Sequence, residues 1–171
     1  MTLSQQAAIV LEAVEHALLR VEGIIRWADA LIVATEKPET WLIELSTFNP
    51  LNITDFVNLL RTHAAGSLPL RWRVQIIVLA FDAGLLSVAS SLPLLFHVLF
   101  VECRGAERDS TDEQLANALV AWDCHEDLDV VPPALHARFE TLFRGYLADA
   151  HEISAVLHWE HEAVGRRKAQ S

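Results

Sequence analysis

Apolar residues recur along this chain with the period of a helix. Ala7, Val10, Leu11, Val14, Leu18 and Val21 lie three, four or seven apart. They form one stripe of a helix over residues 4–22. Glu12, Glu15 and Arg20 mostly fall on its other faces, and Gly23 reads as its stop. Ile25, Ala28, Leu31 and Ile32 then predict a second helix over 24–35. Pro38 suits the first turn of a short third helix carrying Trp41, Leu42 and Leu45. Asn49-Pro50 marks a loop. Asn52 or Thr54 can cap a fourth helix with Phe56, Val57, Leu59 and Leu60, ended by Gly66.

From Pro69 the pattern tightens. Val74 and the run Ile76 to Leu79 are almost continuously apolar, which by periodicity alone suits a strand or a helix. No turn signal interrupts the run through Ala83, so helix is the reading, with Gly84 as its end. Residues 85–101 hold no formal charge. A membrane span needs about 20 apolar residues, and this run is shorter and broken by Pro93 and His97. It reads as a buried helix at the centre of the fold. Ser110-Thr111-Asp112-Glu113 has the form of a capping box, Ser110 as N-cap and Glu113 at the third helical position. Leu115, Leu119 and Trp122 are its stripe. Pro132-Pro133 opens a helix carrying Leu135, Phe139, Leu142 and Phe143, and a last helix covers 148–164. The expected architecture is all-α: one compact domain over 1–171, a bundle of about six to eight helices.

Charge changes this picture most. Residues 102–129 hold nine acids, Glu102, Glu107, Asp109, Asp112, Glu113, Asp123, Glu126, Asp127 and Asp129, against Arg104 and Arg108. That sector dominates a formal net charge of −10. Such a field steers a basic partner and repels nucleic acid, which needs clustered Lys and Arg. The one basic cluster, Arg166-Arg167-Lys168, reads as a helix end. A 52% hydrophobic, 21% charged chain is a folded globule rather than a disordered one. The first residues lack the basic region and cleavage site of a signal peptide. Cys103 and Cys124 make no disulfide framework. The expected setting is the cytoplasm, with no membrane association.

Candidate chemistry is sparse. His151, His158 and Glu162 lie on one helical face, and His161 gives an H-x-x-H with His158. His151 and His158 are about 10.5 Å apart along a helix, too far to share an ion. Only His158 with His161 or Glu162 could, as part of a metal-dependent helical-bundle enzyme. Cys124-His125 diverge by about 100° on a helix, and surrounding acids disfavour a thiolate. Phosphate-binding loops and nucleophile motifs are absent. The chain therefore reads as a non-enzyme without cofactor. Among five tryptophans, Trp72 and Trp159 are the better candidates for partner anchors, and Trp122 for core.

The phrases Gly23-Ile24-Ile25-Arg26-Trp27-Ala28-Asp29 and Trp41-Leu42-Ile43-Glu44-Leu45-Ser46, in a small acidic helical chain, resemble helical bacterial immunity proteins. That resemblance implies tight binding to a cognate toxin domain, often a basic one. The expected interface is Glu107, Asp109, Asp112, Glu113, Asp123, Glu126, Asp127 and Asp129. On a helix Asp112 and Asp123 are about 20° apart, so they are expected to project together.

Overall fold

A computed structural model describes residues 1–48, 52–103, 105–124 and 131–157. Among them every regular element is helical. Nine α-helices run α1 (Leu3–Glu15), α2 (Val21–Ala34), α3 (Thr40–Thr47), α4 (Ile53–His63), α5 (Leu70–Asp82), α6 (Val88–His97), α7 (Ser110–Asp123), α8 (Pro133–Leu147) and α9 (His151–Leu157). A π-helical turn, Val98–Glu102, follows α6. The all-α expectation is met, with more helices than the six to eight expected. No helix among the described residues is long and apolar enough to cross a membrane.

Contacts group the described residues into two compact units: Met1–Leu68 with residues 152–157, and Pro69–His151. In the first, α2 packs on α3 and α1 on α4. Thr2 and Gln5 form a capping box that starts α1. Ile9, Val10, Ile24, Trp27, Leu45, Phe56 and Leu60 are buried. Trp27 and Trp41 meet with ring centres 6.0 Å apart, and His63 stacks flat on Trp41 at 4.5 Å. The Ala65 N–H donates to the Ser4 carbonyl at 2.8 Å, tying the end of α4 to the start of α1. Arg61 pairs with Glu15 at 2.6 Å.

The first helix is shorter than its stripe predicts. It ends at Glu15, and Gly23 lies inside α2 rather than closing α1. The stop is Ala17, at φ 56 in the left-handed region. The Ala17 N–H donates to Val14 O, and the Leu18 N–H donates back to Ala13 O. This is a Schellman closure, and it turns Leu18 and Leu19 inward. Glu12, expected on an outer face, is buried and bonded to His16 Nε2 at 3.0 Å.

In the second unit α5 packs against α8, α6 and the π turn. The apolar run of α5 is helical, and Val74, Ile76, Ile77 and Val78 are fully buried. Phe81 meets Phe143 edge-on at 5.1 Å. Gly84, at φ 71, closes α5 with the same pattern as Ala17, donating to Phe81 O while Leu85 donates to Ala80 O. Residues 85–101 are not one continuous buried helix. They pass through α6 and the π turn, and Val101 is 58% exposed.

Ala17 and Gly84 occupy equivalent positions, and only glycine takes that backbone without strain. Ala17→Gly is therefore expected to stabilise the protein by about 0.5–1 kcal/mol, net of the added freedom of the unfolded chain. Thermal melts followed by circular dichroism should show a rise of about 1–4 °C. A fall in midpoint would mean that the closure carries no strain.

Candidate functional site

The acidic sector begins at α7, and its first acids are spent on the helix itself. Asp109 is the N-cap, one residue earlier than the sequence pattern suggested. Its Oδ1 accepts from the N–H groups of Thr111 and Asp112 at 2.7 and 2.8 Å. Asp112, not Glu113, closes the box by accepting the Asp109 N–H at 3.3 Å. Carboxylates suit this end of a helix because unpaired N–H groups and the helix dipole are both positive there.

Asp112 is 4% exposed and turned into the unit. Its Oδ1 accepts from the Tyr146 hydroxyl at 2.6 Å. Gln75, from the apolar run of α5, donates to Tyr146 O at 3.1 Å and to Asp149 Oδ1 at 2.7 Å. Arg71 lies over the Tyr146 ring, 5.2 Å from its centre. It donates to Asp149 Oδ2 at 3.0 and 3.1 Å and to Asp109 Oδ2 at 2.9 Å. The network thus joins α5, the start of α7 and the end of α8. Arg71, Glu107, Arg108, Asp109 and Asp112, with Pro69 and Leu70, line a cleft of about 360 Å³.

The protonation states follow from these bonds. The Asp112 N–H, then that of Thr111 and the charge of Arg71, hold the Asp109 carboxyl below its ordinary 3.8 against some desolvation. Burial by itself would lower the pKa of Arg71. The hydrogen bond and charge of Asp149, with the charges of Asp109 and Asp112, raise it above its ordinary value. Burial and then the bond to Asp112 push the Tyr146 phenol well above 10.0.

The sequence-predicted acids therefore separate into distinct positions. Asp109 is half exposed but bound to Arg71. Asp112 is not a surface group, so it does not project with Asp123 as expected; the two share a helical face only at the level of the axis. Glu107, Glu113 and Asp123 are exposed and make no side-chain ion pair among the described residues. Glu126, Asp127 and Asp129 lie outside the described residues, as do His158, His161, Glu162, His125 and Trp159. Glu102 pairs with Arg73 and, at 2.8 Å, with His97 Nε2. Trp122 is buried, and Trp72 is partly exposed. Cys103 and Cys124 are free thiols.

Sequence reasoning missed Arg71, Gln75, Tyr146 and Asp149. Two signals pointed to them: Tyr146 is the sole tyrosine, and Gln75 is the polar interruption between Val74 and Ile76. Each carboxylate of the network accepts from a protein donor, and these bonds tie α5, the start of α7 and the end of α8 together. Comparison with protein-family models, curated proteins and solved structures found no match.

Since the unfolded chain ionises a tyrosine near pH 10 and the folded one does not, the contribution of Tyr146 is complete below that pH and lost as pH rises. Ultraviolet titration of this one tyrosine should show phenolate only as the protein unfolds. Tyr146→Phe leaves a buried carboxylate oxygen without its donor, and is expected to cost about 1–3 kcal/mol at neutral pH. A phenolate signal at pH 10 with the helices intact would refute the buried bond. For Asp109 the sign is opposite: its stabilisation is present above its ordinary 3.8 and lost as pH falls through the lower folded value. Asp109→Asn should flatten the acid limb of stability against pH, read by urea melts. An equally steep acid limb in the variant would place that dependence on other groups.

Proposed function

We propose that this chain is a bacterial immunity protein that binds and neutralises a cognate toxin domain, acting in the cytoplasm without a cofactor. The observation that carries the reading is the outer face of α7. Glu113, Asn117, Val120 and Cys124 are all exposed, and at 100° per residue they fall within about 60° of one another. Val120 sits among them at 46% exposure, with Glu107 before the helix and Asp123 at its end. An apolar centre with a charged rim is the anatomy of a protein interface. Free acids at the rim act mainly on the rate of encounter with a basic partner. Glu126, Asp127 and Asp129, which follow α7 directly, extend the same charge in sequence. Asp112 is removed from the interface set, and Asp109 keeps a secondary place because Arg71 holds it.

The natural probe is the product of a toxin-like reading frame beside this one. Coexpression is expected to relieve its toxicity, and the purified pair to associate faster at low salt. Replacing Glu107 and Glu113 by Gln and Asp123 by Asn should slow association roughly tenfold while leaving helical content unchanged. Stopped-flow mixing at two salt concentrations reads both effects. An unchanged, salt-independent rate would remove the acids from recognition, and failure to bind the adjacent product at all would remove the immunity reading.

A further inference from the structure

The π turn at Val98–Glu102 carries one residue more than an α-helix would hold in the same space. Its signature is the Cys103 N–H, which donates to Val98 O at 3.0 Å. In α register that N–H would go to Leu99 O. The Leu99 carbonyl is thereby freed, and Arg108 takes it: its Nη2 donates to Leu99 O at 2.7 Å. The same guanidinium lies 5.1 Å above the centre of Phe100, whose ring packs 4.7 Å from Phe96. One side chain from the connector thus satisfies the carbonyl orphaned by the extra residue and covers the aromatic pair beside it.

We propose that Arg108 is the latch of a two-register turn: engaged, it holds Val98–Glu102 in π register, and released, it lets the turn relax to α. The change has a defined output. Moving the hydrogen-bond register by one residue rotates the following side chains by about 100° relative to the helix before them. Glu102 would leave Arg73 and His97, its present partners. Cys103, whose Sγ now accepts from Arg73 Nη1 at 3.2 Å, would be uncovered. The latch shares its connector with Glu107 and Asp109 and lines the cleft beside them. Release therefore also changes the entry to α7. The proposal is independent of what that helix binds.

Thiol labelling reads the register directly. With Cys124→Ser as background, Arg108→Met is expected to raise the rate of Cys103 modification by Ellman's reagent roughly five- to tenfold, the bias of one hydrogen bond on a two-state turn. With Cys103→Ser as background, the labelling of Cys124 should not change. Deleting the exposed Val101 removes the extra residue, and in that chain Arg108→Met should have no effect on Cys103. Equal Cys103 rates with and without Arg108 would overturn the latch. A parallel rise at both cysteines would also overturn it, since that reports general loosening. Should Arg108→Met not fold, Arg108→Lys keeps a cation over Phe100 with a poorer reach to Leu99 O. An unchanged Cys103 rate in that folded variant would overturn the proposal equally.

Discussion

The hydroxyl of Tyr146 donating to Asp112 is the interaction on which the second unit's polar interior depends. A carboxylate 4% exposed is tolerated only when its oxygens are occupied. Tyr146 occupies one oxygen and the Asp109 N–H the other. Those two bonds fix Asp109, whose remaining oxygen meets Arg71, and Arg71 carries the chain of contacts on to Asp149 and Gln75. A single glutamine in the apolar run of α5 makes sense in this setting. It donates to the carbonyl of the same tyrosine and so fixes the depth and rotation of α8 against α5. Such a network is strong when complete and vulnerable at every member, because each loss strands a neighbour in a low dielectric.

This use of charge narrows what the surface offers. Counted along the sequence, the segment after α6 is a dense block of acids. In three dimensions one acid is buried, one caps a helix while holding Arg71, and one is shared between Arg73 and His97. Among the described residues, Glu107, Glu113 and Asp123 are the acids on α7 and just before it that make no ion pair, around an exposed valine. The functional reading rests on that residue of unspent charge rather than on the net charge of the chain. The connector carrying Glu107 also carries Arg108, so the acidic face and the π turn are joined through the same few residues.

The helical class and most helix starts were legible because they follow from local rules. Pro69 and Pro133 stand at helix starts, whereas Pro38 falls one residue before the Glu39 cap of α3 rather than in its first turn, and the period of apolar positions identifies the inner faces. Gly84 was legible as a stop because glycine favours the backbone it adopts. Ala17 was not, because it takes the same left-handed conformation against its own preference, which only the inward pull on Leu18 and Leu19 explains. The capping box was one residue out because Asp109, Ser110, Asp112 and Glu113 all suit such a motif, and the ion pair to Arg71 chose between them. The Arg71–Tyr146 network was invisible for a related reason. Its members lie up to 78 residues apart, and no local pattern links a helix start to a tyrosine on another helix. The π turn likewise leaves no periodic mark, since its stabilising donor comes from beyond the helix.

The stack of His63 on Trp41 has an optical consequence. An imidazole lying 4.5 Å from an indole and 6° from parallel is part of that indole's immediate surroundings, to which its emission responds. Trp27, with its ring centre 6.0 Å away, is close enough to pass its excitation to Trp41. The emission of this pair therefore depends on the end of α4 staying against α3. Trp72 and Trp122 belong to the second unit and have no such partner among the described aromatic contacts. Undocking of α4 would therefore change the emission of Trp41 while leaving the surroundings of Trp72 and Trp122 as they were.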